Sequence, residues 1–206
     1  SITIPESVTS IGWDAFYGCS SLSSITIPEG VTSIGEYAFS GCSSLTSITL
    51  PEGVTSIGEY AFENCSSLTG ITIPAGVTSI GDWAFCGCGS LTSITIPEGV
   101  TSIGVKAFSG CSSLTSATIP VSVTRIDEEA FYSCIKLKDV YYGGAKTDWN
   151  QIDIAKGNIS FLNATIHYQI QSAPEIRPVD TSTLDGGATL KLTLWSIDQN
   201  KQIGAA

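Results

Sequence analysis

Six of the seven cysteines recur every 23 residues and are the first candidates for chemistry. They are Cys19, Cys42, Cys65, Cys88, Cys111 and Cys134. Cysteines that repeat in one column are expected to be buried and to behave as small apolar side chains. Their Cβ vectors would run parallel, whereas a disulfide needs them to converge. We therefore predict buried free thiols and no metal ligands.

The seventh cysteine, Cys86, lies outside this column, at the position that Ser40, Glu63 and Ser109 hold in other repeats. We expect its thiol to be exposed and to favour artefactual dimers. Its spacing from Cys88 is too short for the usual zinc knuckle.

Histidine-based acid–base chemistry would depend on His167 alone, because it is the only histidine. It lies in an alternating run that predicts a strand, so a structural role is expected. The sequence contains no nucleophile elbow, phosphate-binding glycine loop or zinc-protease helix motif. Carboxylates in the repeats recur in columns, unlike a catalytic pair. We predict that the chain is not an enzyme and has no catalytic residue, metal or cofactor.

The chemistry-bearing columns belong to a repeat that occurs six times without insertion or deletion. Phenylalanine follows alanine at the same spacing, at Phe16, Phe39, Phe62, Phe85, Phe108 and Phe131. A fixed period of this length predicts a solenoid, in which each unit packs on its neighbours. Within the unit 45–67, the pattern predicts a short strand, a turn after Pro51, a second short strand and one helical or 3₁₀ turn.

The repeat Leu-x-x-Ile-x-Ile-Pro-x-x-Val-x-x-Ile-Gly-x-x-Ala-Phe-x-x-Cys resembles the BspA-like, Treponema pallidum-type, leucine-rich repeats. The resemblance implies a right-handed solenoid with parallel β-strands on its concave face, six repeats and a C-terminal cap. It also implies a bacterial protein that is secreted or attached to the cell surface and takes part in adhesion.

Four segments are expected along the chain. They are a solenoid at 1–137, its C-terminal cap at 138–168, a linker at 169–180 and a β-strand tail at 181–206 that begins a further β-domain or folds back on the solenoid. The sequence starts inside a repeat, so we expect the natural solenoid to extend upstream. Trp149, Tyr141 and Tyr142 are expected to close the end of the core.

The charge is acidic and uneven. The formal net charge is −10, and all of this excess lies in residues 1–134, which hold twelve acidic and two basic residues. Nucleic-acid binding requires clustered lysine and arginine, so this class of partner is not expected. Association with an anionic membrane is not expected either, nor is insertion into a membrane. The acidic columns favour a solvated face, with weak calcium binding or a basic partner as alternatives.

Two surfaces could bind a partner. The first strand of each unit presents a flat set of small hydroxyl side chains, namely Ser47, Thr49, Thr72, Ser93 and Thr95. Protein hot spots favour Trp, Tyr and Arg, so this face alone is poorly suited to tight binding. The second surface is the column Tyr37, Tyr60 and Trp83, which continues as Lys106. These rings could grip a sugar chain or a peptide, or could lie flat over the next coil and shield its backbone.

These features favour a binding or adhesion module that presents one solenoid face to a protein or glycoprotein, such as host extracellular matrix or another cell surface. The chain is expected to be a monomer and to be extracellular. The alternative is a passive stalk that spaces other domains, because the repeats are nearly identical.

Overall fold

The computed structural model describes residues 2–169 and the two short strands Leu194–Trp195 and Gln202–Ile203. Residues 2–136 form six coils, which we number one to six by the column cysteine that each contains. The predicted parallel β-solenoid with a period of about 23 residues is confirmed.

Each complete coil contributes one strand to each of two parallel strand columns. The first column consists of β1 (Ser24–Thr26), β3 (Ser47–Thr49), β5 (Gly70–Thr72), β7 (Ser93–Thr95), β9 (Ser116–Ile119), β11 (Asp139–Tyr142) and β13 (Thr165–Tyr168). The second consists of β2 (Ser33–Ile34), β4 (Ser56–Ile57), β6 (Ser79–Ile80), β8 (Ser102–Ile103), β10 (Arg125–Ile126) and β12 (Asp153–Ile154).

Strands of successive coils pair in parallel with identical columns in register. Ile25 lies beside Ile48, and Ile34 lies beside Ile57. The second column forms one six-stranded sheet from β2 to β12. A constant spacing keeps the apolar side chains that recur in the strands on the inner face, since a shift of one residue would turn them outward.

The core consists of side-chain columns that run along the solenoid. Neighbouring phenylalanines stack face to face, with ring centroids 5.3 Å apart from Phe39 to Phe131. Five of the six column cysteines are buried and all are free thiols, which confirms the prediction for those five, whereas Cys19 in coil one is partly exposed. Each buried thiol donates to the carbonyl of a phenylalanine in the preceding coil, as Cys88 does to Phe62 at 3.2 Å.

The glycine after the second strand is required by the close approach of adjacent coils. A Cβ atom on Gly58 would lie 2.6 Å from the backbone nitrogen of Glu36 and 2.7 Å from the carbonyl carbon of Gly35. Both contacts are with backbone, which cannot rotate away. This is why Ile-Gly recurs in the repeat.

The segment after this glycine differs from the expected helical or 3₁₀ turn. Short-range bonds typical of such a turn are present, for example from the Ala38 N–H to the Gly35 carbonyl at 3.3 Å. Between them, however, two residues per coil adopt a left-handed conformation, such as Tyr37 with φ of 53° and Gly41 with φ of 75°. Both residues donate their N–H groups to carbonyls of the next coil, so the segment becomes a series of linked turns.

The first sheet is interrupted in the middle of the solenoid. Strands β1, β3 and β5 form a three-stranded sheet, and β7, β9, β11 and β13 form a four-stranded one, so β5 and β7 are not paired. At this position coil four carries Gly70 in place of serine, and glycine weakens a strand. Ile71 is partly exposed there, whereas Ile48 and Ile94 in the same column are buried.

The C-terminal end of the core is closed by residues 139–168, which include the helices α1 (Lys146–Trp149) and α2 (Ile159–Leu162). Phe161 stacks on Phe131 with centroids 4.5 Å apart, and Trp149 stacks on Phe161 at 5.6 Å. Tyr142 packs edge-on against Trp149.

The expectation for Tyr141 was wrong. Alternation along β11 places Tyr142 in the core, with 2% of its surface exposed, and turns Tyr141 outward, with 46% exposed. Only Trp149 and Tyr142 of the three aromatic residues close the core.

Asn158 supplies the hydrogen bonds that a following coil would provide. In earlier coils the phenylalanine N–H donates to an alanine carbonyl one coil onward, as Phe108 does to Ala130 at 2.7 Å. Phe131 instead donates to the Asn158 side-chain oxygen at 2.9 Å. The amide nitrogen of this buried asparagine donates to the carbonyls of Asp127 and Ala155, both at 2.9 Å.

Residues 172–206 form a separate compact unit. Within it, Leu194–Trp195 (β14) pairs antiparallel with Gln202–Ile203 (β15). The rest of the expected strand at 189–197 and nearly all of the expected linker at 169–180 lie outside the described residues.

Candidate functional site

The column Tyr37, Tyr60 and Trp83 forms a continuous stack, which we call the aromatic ladder. The rings of Tyr37 and Tyr60 are nearly parallel, with centroids 4.5 Å apart, and Tyr60 and Trp83 follow at 5.7 Å. All three side chains are half-buried. The facing surfaces of neighbouring rings therefore cover each other. This is the arrangement expected if the rings shield the backbone of the next coil.

The left-handed backbone conformation positions the ladder. Tyr37, Tyr60 and Trp83 have φ of 53°, 56° and 57°, and each donates its N–H to a carbonyl of the next coil at 2.8–3.0 Å. Left-handed conformations cost about 1 kcal/mol or more for a bulky residue. Ring stacking, on one side of Tyr37 and Trp83 and on both sides of Tyr60, offsets part of that cost, because an aromatic pair contributes about 0.5–1.5 kcal/mol beyond burial.

The C-terminal end of the aromatic ladder is closed by a cation. The ammonium of Lys106, one coil onward, lies 4.4 Å from the centroid of the Trp83 ring. The same ammonium lies 3.3 Å from a carboxylate oxygen of Glu129, which occupies the column in coil six. Ring, cation and carboxylate thus follow one another in three successive coils.

Carboxylates surround the other end of the aromatic ladder. Glu36 directly precedes Tyr37, and Glu63 lies near it and accepts a hydrogen bond from Ser40 at 3.1 Å. Partial desolvation raises the pKa of the Tyr37 hydroxyl above its ordinary value, and Tyr60, Glu36 and Glu63 raise this pKa further. Two carboxylates therefore act on the Tyr37 hydroxyl, one from its own coil and one from the next.

The predicted hydroxyl face is also present, and it is separate from the aromatic ladder. Ser47, Thr49, Thr72, Ser93 and Thr95 are all exposed on the first strand column. Three of them, Thr72, Ser93 and Thr95, line an open depression of about 580 Å³ at the interruption between β5 and β7. Gly70 and Ile71 form its floor together with Ile48.

One group on this face was missed from the sequence. The Tyr141 ring stacks on the His167 ring with centroids 4.7 Å apart, and His167 Nε2 lies 2.7 Å from a carboxylate oxygen of Asp139. All three point outward from β11 and β13. Strict alternation from Val140 could have revealed them, because it pairs Asp139 with Tyr141 on one face.

The expectation that Cys86 is exposed was wrong. It is half-buried, in a column where Ser40 and Ser109 are buried. Desolvation raises the pKa of the Cys86 thiol, and nearby Glu63 raises it further. A thiol held protonated in this way is a poor nucleophile. Among residues 2–169, no three metal-binding side chains come together.

The repeat architecture can now be compared with known proteins. The model of the BspA type leucine rich repeat region matches six copies, over residues 1–87 and 37–158. The chain belongs to this family.

Similar solved structures agree with the assignment to the BspA-type family. A leucine-rich repeat protein of T. pallidum is 29% identical with a TM-score of 0.62, and the match covers 81% of this chain and 85% of that protein. One from Bacteroides ovatus is 34% identical with a TM-score of 0.57, over 69% of this chain. This chain spans 47% of the length of the B. ovatus protein.

A more distant match is the pneumococcal vaccine antigen PcpA, which is 20% identical with a TM-score of 0.54 over 72% of this chain and 42% of that protein. At this identity the likeness shows the fold alone. A sequence comparison with curated proteins finds no match. In the described part of this BspA-type chain, no helix has the length and apolarity needed to cross a bilayer.

Proposed function

We propose that this chain is a non-enzymatic binding module of a secreted or surface-attached bacterial protein, and that it mediates adhesion to a protein or glycoprotein through one face of its solenoid. Leucine-rich repeat proteins of this family are typically surface proteins involved in protein interactions. The adhesive role and the face that is used are our inference.

The observation that carries the proposal is the rigid aromatic ladder. Tyr37, Tyr60 and Trp83 are held by their backbone and by each other, so their exposed edges form a fixed aromatic strip beside carboxylates. Aromatic side chains that are already ordered lose little conformational entropy on binding. The hydroxyl face has no comparable anchor between β1 and β9.

Surface binding to a panel of matrix glycoproteins, mucins and polysaccharides tests this function. We expect saturable binding that falls at least tenfold when Tyr60 and Trp83 are both replaced by asparagine, since asparagine tolerates the left-handed conformation. Tyr132→Ser is the matched control, because Tyr132 is exposed and serine occupies its column in other coils. Binding that survives loss of the two rings would exclude the aromatic ladder.

A passive stalk is the second candidate, and the uniform hydroxyl face from β1 to β7 favours it. In that case the chain binds nothing in the panel. Removal of one whole unit, residues 45–67, would then shorten the molecule and leave the affinity of the full protein unchanged. Single-molecule length and cell-adhesion measurements on the same deletion separate the two functions.

A further inference from the structure

The two ends of the aromatic ladder differ in the residue that follows the last ring in the column. At the C-terminal end the order is Trp83, Lys106 and Glu129, and the chain itself supplies the cation that covers the last ring. At the other end Tyr37 is preceded in the column by Asp14. A ring and a carboxylate are present there without a cation of their own.

The local sequence cannot supply one. The first 105 residues contain no lysine, arginine or histidine, and they contain nine aspartates and glutamates. Any cation that meets Tyr37 must come from outside these coils.

The surroundings of Tyr37 form a corner suited to a cation. The ring of exposed Tyr17 stands at 79° to the ring of Tyr37, with centroids 6.2 Å apart. Glu36 and Glu63 act on the Tyr37 hydroxyl from its own coil and from the next one. Two ring walls with carboxylates beside them are the elements that hold ammonium and guanidinium groups.

We propose that the corner of Tyr17 and Tyr37, together with Asp14 and Glu36, binds a lysine or arginine side chain in a basic segment of a protein partner. The proposal rests on the proposed binding function and names the chemistry of the partner. Charge complementarity selects this partner over an acidic or neutral one.

The test uses the full chain and two labelled peptides of equal length, an oligoarginine and an oligoglutamine, in a fluorescence-anisotropy titration at low and high salt. We expect the oligoarginine alone to bind, with weaker binding at high salt because exposed charges are screened. Tyr17→Ser and Glu36→Gln should each weaken binding about two- to fivefold, as for an exposed cation–π contact.

Matched controls separate the corner from the general acidity of the coils. Tyr132→Ser removes an exposed tyrosine from the column of Tyr17, and Glu98→Gln removes an exposed carboxylate that lies apart from the ladder. Neither should change the affinity. Failure of the oligoarginine to bind, or equal weakening by Glu36→Gln and Glu98→Gln, would overturn the proposal.

The two proposals fail in different ways. A panel glycoprotein that needs Tyr60 and Trp83 but is indifferent to Tyr17→Ser and Glu36→Gln would leave adhesion standing and remove the cation site. Conversely, oligoarginine binding that depends on Tyr17 and Glu36, without binding to any panel member, would support the cation site and remove the adhesive function.

Discussion

The buried thiols make a quantitative prediction about alkaline pH. Burial and the neighbouring Cys42 thiol raise the pKa of Cys65 to about 12, and burial raises that of Cys134 to about 12 as well. The pKa values of Cys88 and Cys111 are raised well above their ordinary value by the same desolvation. Each of these thiols also donates its proton to a phenylalanine carbonyl, so ionisation would break a hydrogen bond.

The sign follows from proton binding. The pKa of a thiol in the unfolded chain is about 8.5. Above this pH the unfolded chain loses thiol protons that the native chain keeps. The contribution of each thiol to stability is complete below this pH and falls through the interval up to its native pKa. The slope is about 1.4 kcal/mol per pH unit for each thiol.

The magnitude grows with the number of buried thiols. At about pH 10 each thiol should have lost about 2 kcal/mol of stability, and the four together about 8 kcal/mol. A loss of that size is comparable with the whole stability of an ordinary domain, about 5–15 kcal/mol. We expect the solenoid to approach unfolding there.

Urea unfolding at a series of pH values, in reducing buffer of constant ionic strength, measures this effect. Cys88→Ala should destabilise by about 1–2 kcal/mol at neutral pH, as for a typical core truncation. The deficit should shrink by about 2 kcal/mol by about pH 10, because the variant has one thiol fewer to protect. The control Val77→Ala, in the same coil, should keep a constant deficit. Parallel curves for Cys88→Ala and the native sequence would refute the argument.

Three further predictions concern packing and use the free energy of unfolding from denaturant titration. Gly58→Ala should destabilise the fold by about 3 kcal/mol, because the added Cβ would contact backbone of the preceding coil. Gly70→Ser should stabilise it by about 0.5 kcal/mol, since no atom lies within 4 Å of a Cβ there. Equal effects of the two substitutions would contradict the close approach of the coils at Gly58. Phe85→Ala should cost about 3–5 kcal/mol, and Phe16→Ala, at a half-buried ring, about 1–2 kcal/mol. Asn158→Ala should cost about 2–3 kcal/mol by leaving buried backbone groups unpaired, and a neutral result would remove its role.

Prediction from the sequence succeeded where a residue type recurs in every coil. Burial of the columns that contain Phe62, Cys65 and Ile57 can be predicted from the sequence, because a solenoid repeats one local environment in every coil. An apolar residue that recurs at the same position in successive coils indicates that this position faces the core. The solenoid and the columns of its core could therefore be derived from spacing, whereas its handedness came from the family resemblance.

Features that occur once, or that depend on contacts between coils, were harder to derive. The left-handed conformation at Tyr60 accompanies a hydrogen bond from its N–H to the next coil. The column contains no glycine or asparagine, the residue types that would indicate this conformation in the sequence. Gly70 is a single substitution whose effect on pairing depends on both neighbours. The side-chain oxygen of Asn158 accepts the hydrogen bond that a backbone carbonyl accepts in earlier coils. This residue occurs once, so the repeat pattern gives no sign of its role. Tyr141 was misplaced because the expected closure of the core was assigned to both tyrosines at once.

The candidate surfaces were only partly accessible to the same reasoning. The column Tyr37, Tyr60 and Trp83 is visible in the sequence, and its two open interpretations depend on ring orientation, which only the structure supplies. The corner at Tyr17 joins two different columns, so it is invisible to any comparison made column by column.

The constant register has a consequence for how such a protein can change over generations. The hydroxyl groups of Thr46 and Thr69 each donate a hydrogen bond to the carbonyl at the equivalent position 23 residues earlier. A gain or loss of 23 residues, one whole unit, would therefore restore these hydrogen bonds at the new junction. The register therefore allows the length of the solenoid to change in steps of one coil, and a change of any other size would misalign the side chains that face the core.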